Sequence, residues 1–128
     1  MATERRLVAV VVEVADLGQS VALYRDGFGI DLHAAHLDDD DRWIGGPHAA
    51  FSWSDGASLH FALYQAKRAE ETTTGVQIAF AVSDIDDAHR NAVAAGATVI
   101  HDPIVQPGGT SARYLDFDGN VIELIQLG

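Results

Sequence analysis

The chain has 128 residues, 48% of them hydrophobic and 21% charged, which suits one compact domain with a sizeable core. A formal charge of −11 opposes binding to nucleic acid, whose phosphates need a basic surface, and favours solubility or a cationic small ligand. With no cysteine, no signal-like start and no apolar run of spanning length, the expectation is a cytoplasmic protein that does not enter the membrane.

Leu7–Val14 is β-branched and apolar and predicts a strand. Asp16 follows as a helix cap, with Leu17, Val21, Tyr24 and Phe28 at helical spacing and Gly27 and Gly29 marking the end. Strands are expected over Ile30–Leu37, Ala49–Trp53 and Ser58–Tyr64, with a turn at Asp55-Gly56. The polar, aperiodic stretch Gln65–Gly75 reads as a connector. Val76–Val82 opens a second series. Asp84 caps a helix carrying Ile85, Ala88, Ala92 and Ala95, and Gly96 ends it. Strands near Thr98–His101, Ser111–Phe117 and Val121–Leu127 follow, the last after a turn at Asp118-Gly119.

The chain is therefore written twice. Val14, Asp16 and Leu17 recur as Val82, Asp84 and Ile85, and the Asp-Gly turns recur near the end of each half. The expected fold is α+β: two βαβββ modules (about 5–65 and 76–128, joined by 66–75) in a single domain. Their curved, cup-like mixed sheet carries helices outside. Strand alternation directs Ile122, Leu124, Leu59, Phe61, Leu63, Ile78 and Phe80 to the helix layer, leaving Glu123, His60, Gln77 and Ala9 facing the cup. Aligning the Asp-Gly turns puts His60 in the place that Glu123 takes in the other half.

The two Val-x-Asp motifs and "DFDGNVIEL" resemble the vicinal oxygen chelate superfamily, which includes glyoxalase I, extradiol dioxygenases and bleomycin-resistance proteins. That resemblance covers nearly the whole chain and implies a homodimer. It also implies a divalent metal (Ni, Fe, Mn, Zn or Mg) held at positions matching His60, Gln77 and Glu123. Ala9, at the fourth position, cannot ligate.

Each polar residue has a plainer reading beside the sharp one. Glu123 is a metal ligand and proton carrier, or a carboxylate hydrogen-bonded to a neighbour. His60 is a ligand or a satisfied interior histidine. Glu13 is a general base at the rim or a solvated strand-end residue, and Arg113 is an anchor for an anionic group or a surface arginine. Trp43, Phe51, Trp53 and Tyr64 would wall a planar or cationic ligand, or fill the core. The run Asp38–Asp41 lacks the alternating ligands of an EF-hand, and "QPGGTSARY" reads as a Gly-rich loop, a candidate lid. Two functions follow. One is a protein that binds a small drug or metabolite in the sheet cavity without chemistry. The other is a metal-dependent lyase, isomerase or dioxygenase that chelates vicinal substrate oxygens.

Overall fold

The computed structural model describes residues 5–35, 47–53 and 59–128. The opening β-branched run forms β1 (Ala9–Val14). Asp16 caps α1 (Leu17–Ala22) by accepting the Gln19 N–H at 3.0 Å. A π turn, Leu23–Gly27, extends α1 and closes through the Phe28 N–H on the Leu23 carbonyl. Then come β2 (His33–Ala35), β3 (His48–Trp53) and β4 (Leu59–Gln65). A 3-10 turn at Ala69–Glu71 lies in the connector. The second module has β5 (Gln77–Ala81), α2 (Ile85–Ala94), β6 (Thr98–Gln106), β7 (Gly109–Leu115) and β8 (Val121–Leu127).

Each module makes a four-stranded mixed sheet, in the orders β1-β4-β3-β2 and β5-β8-β7-β6. The first and last strands of each module run parallel and the other neighbours antiparallel, so the α+β reading and the two βαβββ units hold. The side-chain faces also follow the alternation: Phe61, Leu63, Phe80, Ile122 and Leu124 are buried under the helices. One cluster of buried residues includes side chains from both modules. Phe80 of β5 meets Phe61 of β4 edge-on at 5.5 Å, and Phe28 lies 5.9 Å from Tyr114. Burying each such ring contributes about 1.5–3 kcal/mol.

Two glycines are required by geometry. At Gly27 a Cβ would stand 2.9 Å from the Ala95 Cβ, so the end of the first helix can lie against α2 only without a side chain. Gly119 has φ +86° in the turn feeding β8, a conformation that L side chains rarely adopt.

Three expectations are corrected. The strand expected over Ile30–Leu37 begins only at His33, because the Ile30 N–H bonds back to the Tyr24 carbonyl and the Leu32 N–H to the Ile30 carbonyl; positions 36 and 37 lie outside the described residues. β6 runs on to Gln106, through bulges between Val99 and His101 and between His101 and Ile104 that accommodate Pro103. "QPGGTSARY" is consequently no lid: Pro107-Gly108 is a tight turn, and Gly109 onward is β7, paired on both sides. The Asp55-Gly56 turn and the Asp38–Asp41 run lie outside the described residues.

Candidate functional site

A cavity of about 580 Å³ opens where the modules meet, on the helix-facing side of the strands. Its apolar wall comes from Phe51, Trp53, Phe61, Ile78 and Phe80, with Phe28 and Ile30 from the turn after α1. Trp53 and Phe80 stand nearly parallel, 29° apart, with centroids at 6.1 Å, and Phe51 meets Trp53 edge-on at 4.8 Å. Asp31, Asp84 and Asp87 stand on the same wall, together with Asn91 of α2. The volume is that of a drug-sized ligand pocket.

The expected aromatic group divides. Phe51 and Trp53 line this cavity, whereas Tyr64 points the other way and stacks on buried His48 at 4.3 Å. Trp43 lies outside the described residues. Phe61 and Phe80 are the helix-facing core residues that strand alternation predicts. No pattern within one strand reveals that the two modules bring them together around an open space.

His60, Gln77, Glu123 and Ala9 do not line the cavity; they sit on the opposite strand faces. His60 Nδ1 is 2.7 Å from the Ser52 Oγ, directly across β3 and β4. Glu123 lies directly opposite Arg113, with Nε and Oε2 3.5 Å apart, so arginine is what the carboxylate meets. Glu13 has its main chain pinned by Thr73, whose Oγ1 accepts the Glu13 N–H at 2.9 Å, and it lies across from Tyr64.

The strand register decides how these groups relate. Ala9 is opposite His60 on β1 and β4, but on β5 and β8 Gln77 is opposite Val121, and Glu123 faces Ala79. A second marker agrees. The Gln65 Oε1 accepts the Leu17 N–H at 2.9 Å, and the Gln126 Oε1 accepts the Ile85 N–H at 2.8 Å, so each module ties its last strand to its helix by the same bond. These glutamines are 61 residues apart, whereas the Asp-Gly turns are 63 apart. The structural counterpart of Glu123 is therefore Ala62, and that of His60 is Val121. The alignment on the turns is corrected by two residues, about 7 Å along a strand.

The places equivalent to Glu123 are Val11, Ala62 and Ala79, none of which carries a donor. Among the described residues no group of three His, Cys, Asp or Glu side chains could hold a metal. The donors His60, Gln77 and Glu123 thus do not fit one ion site built on the internal repeat of a single chain.

A further polar cluster escaped the sequence reading. The Tyr24 hydroxyl donates to Asp116 Oδ2 at 2.7 Å, joining the first helix to the second module. Asp116 also accepts the N–H groups of Asp118 and Asn120 at Oδ1, and Asn120 Nδ2 at Oδ2. Burial, then the charge and hydrogen bond of Asp116, push the Tyr24 hydroxyl far above its ordinary range. Burial likewise raises Tyr114, to about 12, with the Asp102 charge adding to it. Asp118 is raised by burial, opposed by the Ala15 N–H and reinforced by Asp116. The sequence signal was "DFDGN": an aspartate and an asparagine flanking a tight turn can close it on themselves.

Two sheets of βαβββ topology around a shared core, with an apolar cavity between modules, define a duplicated α+β domain. Residues 6–124 match the family described as the Glyoxalase/Bleomycin resistance protein/Dioxygenase superfamily, and the chain belongs to it. A search among curated proteins gave no match. Among solved structures the chain is similar to TnmS3, an antibiotic binding protein from Streptomyces sp. CB03234, with 22% identity, all of both chains covered and a TM-score of 0.74. It is also similar to a superfamily member from Sphaerobacter thermophilus DSM 20745, at 19% identity, covering 96% of this chain and 98% of that one with a TM-score of 0.67. TioX from Micromonospora sp. ML1 gives 19% identity, 97% and 100% coverage and a TM-score of 0.66. At these identities the likeness is one of fold.

Proposed function

We propose that this protein binds a small organic molecule, a drug or metabolite, and holds it without chemical change. The observation that carries the reading is the 580 Å³ cavity walled by Phe51, Trp53, Phe61 and Phe80. Membership of a superfamily that includes binding proteins supports it, as does the fold shared with a structure named as antibiotic binding. The metal-dependent alternative draws no support from the strand register, because alanine, not glutamine, stands beside Glu123.

The proposal includes a homodimer: Val11 is half exposed on the strand face that points away from the core, an apolar surface suited to a second copy. Sedimentation velocity reads the oligomeric state. Binding is tested by following Trp53 emission in a Trp43→Phe background while polycyclic aromatic drugs are added, with mass spectrometry of the recovered compound. Saturable quenching, a rise in melting temperature and unchanged ligand are expected; a ligand at 100 times its Kd stabilises by about 2.7 kcal/mol. Turnover of the ligand, or a panel that neither quenches Trp53 nor shifts the melting temperature, would overturn the reading.

A further inference from the structure

A run of polar contacts outside the cavity passes along the far flank of α2. The Tyr114 hydroxyl is 2.6 Å from His89 Nδ1, and His89 Nε2 is 3.4 Å from Asp102 Oδ1. At about 3.6 residues per turn, His89 stands across α2 from Asp87 and Asn91, which line the cavity. Tyr114 in turn lies 5.9 Å from Phe28, another residue of the cavity wall. Among the described residues, side-chain hydrogen bonds fasten α2 to its sheet at two places: the Ile85 N–H on Gln126 Oε1, and His89 on Tyr114. The second of these holds α2, and with it one side of the cavity, against β6 and β7.

That bond suits one protonation state. With a proton on Nε2, directed at Asp102, Nδ1 accepts the Tyr114 O–H. Tyr114 is fully buried, and burial together with the Asp102 charge pushes it up to about 12, so the hydroxyl keeps its proton wherever a histidine titrates. A second proton on the ring turns Nδ1 into a donor. The Tyr114 proton then has no acceptor among the described residues, and a buried donor without a partner is destabilising. Asp102 returns little of the loss, because its side chain is 81% exposed. The remaining titratable groups around the ring are engaged or turned away. Arg90 pairs with Asp87 at 3.1 Å, His101 Nδ1 meets the Asp102 carbonyl at 2.8 Å, and Asp86, one turn before His89, is exposed. Glu123 of β8 is on the other face of its sheet with Arg113, and the turn after α1 meets Tyr114 with the apolar Phe28 ring.

We propose that Tyr114, His89 and Asp102 form an acid-sensitive latch: neutral His89 seats α2 and completes the cavity, and protonated His89 frees α2 and loosens the hold on the ligand. The inference rests on the small-molecule reading above and adds a regulation to it. The unlatched form takes up the proton more readily, so acid favours it, and ligand affinity falls as pH falls.

The neutral probe 1-pyrenemethanol, titrated against the Trp43→Phe protein with energy transfer from Trp53 as the signal, reads affinity without a charge change of its own. Its Kd is expected to rise roughly five- to tenfold between pH 8 and pH 5. Hydrogen exchange across Ile85–Ala94, corrected for intrinsic rates, is expected to quicken over the same span. His89→Asn puts an amide oxygen in the place of Nδ1, an acceptor that does not titrate, and should keep binding at pH 8 while abolishing both acid effects. Tyr114→Phe, which leaves no hydroxyl proton to strand, should abolish the acid effects as well. Equal affinity at both pH values in the parent, or an acid loss that persists in His89→Asn, overturns the latch and leaves small-molecule binding standing. If the probe draws no energy from Trp53 at either pH, the small-molecule reading fails and ligand release with it. Exchange across α2 that is the same at both pH values then overturns the latch as well.

Discussion

Tyr24→Phe removes a single hydroxyl from one of the contacts that join the two modules. Tyr24 is fully buried and Asp116 6% exposed, so water cannot replace the lost donor on Asp116 Oδ2. A hydrogen bond to a charged acceptor contributes about 1.5–3 kcal/mol. Asp116 keeps three other donors, which places the loss toward the lower half of that range. For a chain of this length each kcal/mol moves the melting temperature by about 3–5 °C, giving an expected fall of about 5–10 °C at pH 7. Asp116→Asn should cost more, since it removes the charge that every donor in the cluster is aimed at. The double variant should lose less than the sum of the two singles, because once Asp116 is changed the tyrosine no longer has a charged partner. Scanning calorimetry of the four proteins reads both quantities. A Tyr24→Phe melting temperature within about 1 °C of the parent, or strictly additive losses, would refute the view that this bond fastens the modules.

Gly109→Ala should destabilise strongly, by about 2 kcal/mol or more in urea unfolding, because φ is +155° there and a Cβ would run into the Gln126 carbonyl. Alkaline stability follows the tyrosines: the folded state holds both Tyr24 and Tyr114 above the ordinary value. Stability should be full below about pH 10 and decline as pH rises from there toward the folded values, and Tyr114→Phe should blunt the decline seen in melting temperature against pH. Asp118 has the same sign in the acid range. Its raised carboxyl penalises the ionised form in the fold, so Asp118→Asn should gain stability at pH 7 relative to pH 3, read from chemical melts at both values. Glu123→Gln should change stability by only about 0.2–1 kcal/mol, since the Arg113 pair is partly open to water; a loss several times larger would show the pair to be a structural anchor.

The modules, the helix caps at Asp16 and Asp84 and the buried strand faces were legible because each depends on local chemistry: a carboxylate before a helix, a period of two in a strand. Register was not. The Asp-Gly pairs offered the clearest landmark and gave an offset of 63, while the bonds from Gln65 and Gln126 to the helix starts set it at 61. A shift of two keeps every residue on its predicted face, so alternation could not expose the error. The partner of Glu123 was out of reach for a related reason. Arg113 reads from the sequence as a substrate anchor or a surface residue, and its place opposite Glu123 depends on the register of the β7–β8 hairpin, which alternation alone does not fix. The cavity depends on how the two modules lean together, which leaves no mark on either repeat.

That slippage between repeats has a practical reading for protein engineering. Transferring a coordination set from a relative by matching turn motifs would install new side chains at 9 and 77, beside His60 in one sheet and Val121 in the other, and strand the acid at 123 one full pleat away. A histidine grafted at 79 instead would share the rung of that acid, and histidines at 11 and 62 would take the equivalent rung of the other sheet; the turns, for all their visibility, are the wrong ruler.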